Sequence, residues 1–208
     1  MGGEPPVESL NLVKASRAWG IVIIGYATAA AGLLAFLTIN GASGVPTTEI
    51  AGTAILLTVG LLLPAAGMLL LGRGFDQTSR TPRRGFSALG IGMIGLFFGV
   101  LLVYESSLLG CLVSALVIIA SAALAVGGAR VMRNLYRSHK PIVNGFTYLI
   151  IGIALTFSGA GLIAGSKIAS YYLISQLQST VYMDVGATVS AYGLVLAAYS
   201  FFVLHART

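Results

Sequence analysis

Three charged residues beside long apolar segments are the side chains of this sequence that could do chemistry. Glu105 follows one apolar segment, Lys167 follows another, and Asp184 lies inside the last one, in the stretch "VYMDVGATVSAYG". An apolar medium penalises ionisable groups, so those found beside or within apolar spans commonly mark proton or solute sites. The three could converge on a small polar site or form a proton-binding group. The alternative is that Glu105 and Lys167 are solvated residues between spans and that Asp184 caps a helix.

A proline inside another apolar segment offers a second kind of site. Pro64 cannot donate a backbone hydrogen bond, and in a helix it frees the carbonyl of Gly60, four residues earlier. A freed carbonyl can coordinate an ion in a broken helix, whereas neighbouring groups satisfy it in most membrane helices. Because this segment contains no charged residue, we expect a helix kink at Pro64 and no ion site.

Catalytic and metal-binding motifs are missing or fail on geometry. The motif "GASG" at 41–44 has the form of the serine motif of rhomboid proteases. Both histidines, His139 and His205, are expected on the other side of the membrane from this motif. A Ser–His pair needs direct hydrogen-bonding contact. The sequence has no H-E-x-x-H zinc motif, no histidine pair for haem, and a single cysteine, Cys111. We therefore predict no enzymatic activity, no cofactor and no metal site.

The elements that position these residues follow from the composition. Of the 208 residues 57% are hydrophobic and 9% are charged, and the mean hydropathy is +0.93. Soluble domains carry about 25% charged residues, and apolar runs of about twenty residues are long enough to cross a membrane as helices. The sequence therefore predicts an all-α, polytopic membrane protein with six transmembrane helices, at 19–39, 50–71, 86–104, 108–129, 146–165 and 181–204.

Basic residues orient this bundle, since all but Lys167 fall on one side of the predicted spans. The positive-inside rule then places both termini in the cytoplasm. The net charge of +6 is thus a topology signal, which favours anionic lipid headgroups as partners over nucleic acid. The residues expected at the headgroups are Arg73, Arg80, Arg83, Arg84, Arg130, Arg133, Arg137 and Lys140.

Two polar segments could extend the spans. The stretch "RVMRNLYRSHK" has its basic residues at helical intervals, so we expect it to continue the fourth span; an acidic partner protein is the alternative ligand for it. The segment 166–180 alternates tyrosines and glutamines with apolar residues. It could lie on the outer surface as an amphipathic helix, or it could extend the fifth span. Its tyrosines could be interfacial anchors, or they could belong to a lid or to an element that docks a partner.

The odd-numbered spans read as three copies of one segment. "GFSALGIGMIGLFFG" at 85–99 returns sixty residues later as "GFTYLIIGIALTFSG", and a shift of 67 brings the first span into register, with Trp19 on Phe86. Each copy starts with an aromatic residue, where a ring suits the membrane interface, and continues with glycines seven residues apart. The even spans repeat that spacing less strictly. The glycines of these series are Gly25, Gly32, Gly92, Gly99, Gly152, Gly159, Gly60, Gly67, Gly186 and Gly193.

Residues seven apart form one stripe along a helix, and small residues let two membrane helices approach closely. The repeat therefore predicts three helical hairpins, at 17–73, 84–137 and 144–207, in a single membrane domain at 19–205 that follows a cytoplasmic polar leader at 1–18. All three hairpins have the same orientation. The inverted repeats of many transporters differ in this respect.

The hairpins carry a family resemblance. Each has an aromatic residue after a basic segment, a "W/F…G…G" pattern in its first helix and an arginine after its second, from Arg17 to Arg207. In this the chain resembles the HdeD-like acid-resistance membrane proteins. It departs from them in having a proline-containing turn in only the first hairpin, at "GASGVPTTE". The resemblance implies six spans and a role in membrane or acid stress, and it brings no catalytic residues.

Three functional classes remain open at this point. The first is a non-enzymatic, multi-pass protein of the cell membrane, of the HdeD-like type, that acts through lipids or solutes. The second is a channel or carrier for protons or small solutes, with Asp184 and Glu105 at its outer entrance. The third is an accessory subunit of a larger membrane complex. Membrane lipids are the expected partners in every case, and the chain could form a homo-oligomer.

Overall fold

Apart from short turns and bends, the residues that the structure describes are all helical. The computed structural model describes residues 17–40, 47–75, 80–103, 107–172 and 176–207, so the leader, the "GASG" motif and Glu105 lie outside the described residues. The helices are α1 Ala18–Asn40, α2 Thr47–Gly74, α3 Arg80–Val103, α4 Leu108–Leu135, α5 Lys140–Ser170 and α6 Gln176–Arg207. All six are long and apolar enough to cross a membrane. This confirms the all-α, multi-pass class predicted from composition.

The helices extend beyond the apolar runs of the sequence. α4 continues through Arg130 and Arg133 to Leu135, as predicted for the basic stretch after the fourth span. α5 begins at Lys140 and ends at Ser170, so the start of the segment 166–180 extends the fifth span and forms no separate surface helix. Tyr171 and Tyr172 follow as an exposed turn. Charged and polar helix ends therefore project past the apolar part of the bundle.

The helices form a closed ring. Each packs against the next, most extensively in the pairs α1–α2, α3–α4 and α5–α6, and α1 returns to contact α6. A smaller contact between α3 and α5 crosses the interior. The start of α1 meets the end of α6, where the ring centroids of Trp19 and His205 lie 5.9 Å apart. The first and last spans thus complete the bundle.

Glycines bring the two helices of each pair close together. A Cβ atom on Gly152 would lie 2.8 Å from the backbone nitrogen of Ala197, and one on Gly92 would lie 2.8 Å from the carbonyl oxygen of Ser121. All ten glycines of the sevenfold series behave alike: an added Cβ would approach an atom of the partner helix in the same pair to 3.0 Å or less. Where the obstructing atom belongs to the backbone, as at Gly92 and Gly152, no side chain can enter unless the helices separate.

Interhelical hydrogen bonds accompany two of these close approaches. The Ser114 hydroxyl on α4 donates to the carbonyl of Gly99 on α3 at 2.7 Å, and the Ser190 hydroxyl on α6 donates to the carbonyl of Thr156 on α5 at 3.0 Å. Hydrogen bonds of this kind contribute about 0.6 kcal/mol each between membrane helices. They add to the packing without dominating it.

The aromatic residues that start the odd spans lie inside the ring, whereas the sequence suggested positions at the membrane interface. Trp19, Phe86 and Phe146 are fully buried. Trp19 packs edge-on against Phe86 with centroids 6.4 Å apart and lies 5.7 Å from Phe201. Burying rings against one another gains both contact area and favourable edge-to-face geometry, so these side chains form the core at the basic end of the bundle.

The outer surface is apolar on every helix. Large hydrophobic side chains that face outward include Ile24 on α1, Ile55 on α2, Phe98 on α3, Leu116 on α4, Leu155 on α5 and Phe202 on α6. A soluble protein rarely exposes an apolar surface this continuous. Lipid acyl chains are the environment that such a surface fits.

Candidate functional site

Two of the three predicted charged residues reach the same end of the bundle. Lys167 lies in the last turn of α5, and Asp184 lies near the start of α6. The two helices meet there, since a Cβ on Gly186 would lie 2.9 Å from the side chain of Ile163. Both charged side chains are half-buried. The structure therefore brings this pair to one region, and Glu105 lies outside the residues it describes.

Asp184 lies deeper in its helix than the sequence suggested. α6 begins at Gln176, so Asp184 is its ninth residue and does not cap it. The Thr188 hydroxyl donates to the backbone carbonyl of Asp184 at 2.8 Å. The capping interpretation is wrong because the polar residues ahead of the apolar run are helical as well.

Pro64 is buried within α2, which continues without interruption from Thr47 to Gly74. Its ring faces a glycine of α1: a Cβ on Gly25 would lie 2.8 Å from the Cγ atom of Pro64. Gly60, whose carbonyl the proline would free, packs against Ala29 of α1. The proline thus serves as a packing surface for α1, and the space it needs is the space that Gly25 leaves.

A small cavity lies at the centre of the ring, and sequence reasoning missed it. Its volume is about 50 Å³, and α1, α2, α3, α5 and α6 all contribute to its walls. Among the described residues of its lining, Thr156 and Ser190 alone carry hydroxyls. Thr156 donates to the carbonyl of Gly152 and Ser190 to that of Thr156, so both hydroxyls already use their single donor hydrogen. A water needs two to four polar partners, so the cavity suits an apolar guest.

Tyr26 is the most unusual polar group of the interior, and sequence reasoning missed it too. Its side chain is fully buried, its ring lies 6.0 Å from that of Phe201, and its hydroxyl has no hydrogen-bond partner among the described residues. A buried hydroxyl left unsatisfied costs about 1–3 kcal/mol. The signal in the sequence was a lone tyrosine in an otherwise apolar first span.

The basic residues gather at the other end of the bundle from Lys167 and Asp184. Arg73 ends α2, Arg80 begins α3 and Lys140 begins α5, while Arg130, Arg133 and Arg137 lie in and just after the last turns of α4. All of these side chains are exposed. Arg80, Arg83 and Arg84 line a groove on the outside of the α3–α4 pair.

Metal and cofactor chemistry gains no support from the described part of the chain. Within it, no three His, Cys, Asp or Glu side chains lie close enough to hold a metal ion. Cys111 is buried on α4 and forms no disulfide. His139 precedes α5, where its Nδ1 atom lies 2.9 Å from the hydroxyl of Ser138.

Comparison with known proteins finds no relative. No family model, no curated protein and no solved structure matches the chain.

Proposed function

We propose that this chain is a non-enzymatic, multi-pass protein of the cell membrane, built from three repeated hairpins with both termini in the cytoplasm. Its role, on the resemblance to the HdeD-like proteins, is in membrane or acid stress. The observation that carries the proposal is the closed ring, inside which the apolar cavity measures only about 50 Å³.

Matched contacts at equivalent positions support the repeat. Gly60 packs on Ala29 in the first hairpin, and Gly193 packs on Thr156 in the third. Ala29 and Thr156 correspond to each other under the combined shifts of 67 and 60 residues that align the odd spans. Two even-span glycines therefore meet equivalent sites on their odd-span partners, as copies of one hairpin should.

The location of the glycines favours a self-sufficient protein over an accessory subunit. An accessory subunit would keep a stripe of small residues free for its partner. All ten glycines of the sevenfold series are instead in contact within their own hairpins. The bundle thus uses its main packing surfaces internally.

The stress role is tested by survival of cells that lack this gene, compared with cells that carry it, after exposure to acid. We expect survival to fall on deletion and to return with the wild-type chain or with Asp184→Asn, because the proposal assigns no proton transfer to that carboxyl. Equal survival of deleted and complemented cells would refute the stress role.

Transport is the second candidate, and it has observations in its favour. The unpartnered hydroxyl of Tyr26 and the half-buried Asp184 are polar groups within an apolar bundle. A carrier that alternates between conformations could bind a proton at one of these groups and then at the other. Proteoliposomes with a pH-sensitive dye inside separate the two candidates. A carrier gives a proton flux that Asp184→Asn or Tyr26→Phe lowers. The leading proposal predicts a proton flux no higher than that of liposomes without protein.

A further inference from the structure

A basic groove on the α3–α4 pair has the shape and charge of a lipid site. The groove has a volume of about 530 Å³, and Arg80, Arg83 and Arg84 line its mouth. A second groove of about 430 Å³ continues between the same two helices and shares Arg84 and Leu124 with the first. Together they run from the basic end of the bundle along its outer surface.

Nothing in the described part of the chain neutralises the mouth of this groove. The acidic residues described are Glu49, at the start of α2, and Asp184, and both lie at the opposite end of the bundle. The three arginines also occupy the first turns of α3, where the helix dipole adds positive potential. Arginine binds phosphate through two parallel hydrogen bonds, so the mouth fits a phosphate group.

Below the arginines the groove is mainly apolar and extends over about two thirds of one membrane leaflet. Ile91 and Leu124 lie in its walls below the arginines. Arg84, the last of the three arginines, and Ile91 are seven residues apart on α3, which is about 10 Å along a helix, against about 15 Å for half of the hydrocarbon core of a bilayer. Gly127 lines the continuation of the groove, and a Cβ there would touch nothing within 4 Å. The groove beside Gly127 is therefore open, with room for a group larger than the hydrogen atom that is the glycine side chain.

We propose that this groove binds one anionic phospholipid, with its phosphate on Arg80, Arg83 and Arg84 and an acyl chain between α3 and α4. Basic pockets between membrane helices are a common way to bind such lipids. The inference rests on the proposed function only in placing the basic end at a membrane surface, and it does not require a role in stress. Loss of lipid binding with normal acid survival, or the reverse, would separate the two proposals.

The test is native mass spectrometry of the delipidated protein in mild detergent, titrated with dioleoyl phosphatidylglycerol or dioleoyl phosphatidylcholine. We expect one saturable phosphatidylglycerol and no saturable phosphatidylcholine. The triple variant Arg80→Gln/Arg83→Gln/Arg84→Gln should bind phosphatidylglycerol at least about tenfold more weakly. The control is Arg130→Gln/Arg133→Gln/Arg137→Gln, which removes the same charge from exposed arginines at the same end and should bind normally. Equal weakening of both triple variants would overturn the site.

The acyl-chain part of the proposal has its own variant. Gly127→Leu should fill the groove and weaken phosphatidylglycerol binding several-fold, because leucine occupies the space of the chain. Gly161→Leu is the matched control on α5, where an added Cβ also touches nothing within 4 Å. Inorganic phosphate should not displace the lipid from the wild-type protein. Displacement by phosphate, or normal binding by Gly127→Leu, would refute the bound chain.

Discussion

Replacing Gly152 by leucine tests how much the close helix approach contributes to stability. The Cβ of any side chain at this position would lie 2.8 Å from the backbone nitrogen of Ala197 and from the carbonyl oxygen of Gly193. Ordinary contacts between heavy atoms are about 3.5–4.0 Å. The obstructing atoms belong to the backbone of α6, so rotation of a side chain cannot relieve the clash and the two helices must separate by about 1 Å.

The expected cost follows from three contributions. Overpacking costs about 1–3 kcal/mol, and the upper value applies because backbone has to move. Separation of α5 from α6 also weakens the Ser190–Thr156 hydrogen bond, which is worth about 0.6 kcal/mol. Leucine regains about 0.8 kcal/mol because it favours the helix more than glycine does. The free energy of unfolding should fall by about 2–3 kcal/mol, or about 5–10 °C in Tm for a chain of this size.

The buried thiol of Cys111 provides the assay, since a thiol-reactive dye reports its exposure as detergent-solubilised protein is heated. Gly161→Leu is the control: its Cβ meets nothing within 4 Å, so the variant should melt at or slightly above the wild-type temperature. Equal melting temperatures for the two leucine variants would refute the argument that the glycine contacts hold the hairpins together.

Three further predictions use matched positions. Gly25→Ala should lower Tm because its Cβ would overlap the proline of α2. Gly20→Ala should leave Tm unchanged, since a Cβ there meets nothing within 4 Å; an equal change of Tm in both variants would contradict this. Ser190→Ala should cost about 0.6 kcal/mol, measured by the same melting assay, and a loss above about 2 kcal/mol would mean that more than one hydrogen bond is involved. A membrane-impermeant maleimide should label Tyr172→Cys from outside intact cells while Cys111 stays silent because it is buried; labelling only after the cells are opened would reverse the proposed topology.

The spans were predictable because a membrane-crossing helix must be apolar over its whole length, and each apolar run lies within one helix in the described residues. The ends were less predictable. Polar residues such as Lys140 and Gln176 belong to helices that extend beyond the apolar run, and hydropathy does not register helical structure outside the apolar region.

The direction in which apolar side chains point could not be derived from the sequence. Lipid is as apolar as the interior of the bundle. Hydropathy therefore does not show that Trp19 is buried while Phe98 is exposed. The sevenfold glycine spacing did predict that small residues lie where two paired helices approach each other closely. The central cavity and the groove at Arg84 combine residues from several helices, and a single sequence does not encode such distances directly.

The meeting of α1 with α6 has a consequence for chain connectivity. Because the rings of Trp19 and His205 lie 5.9 Å apart, the first and last helices are neighbours in the same way as helices joined by a short connection. The order of the hairpins along the chain is then not essential to the bundle, and circular permutation at the boundary between two hairpins would preserve every interhelical contact. Proteins with adjacent ends tolerate such rearrangement well. A break in the ring at any of the three hairpin boundaries would therefore leave the same set of helix pairs.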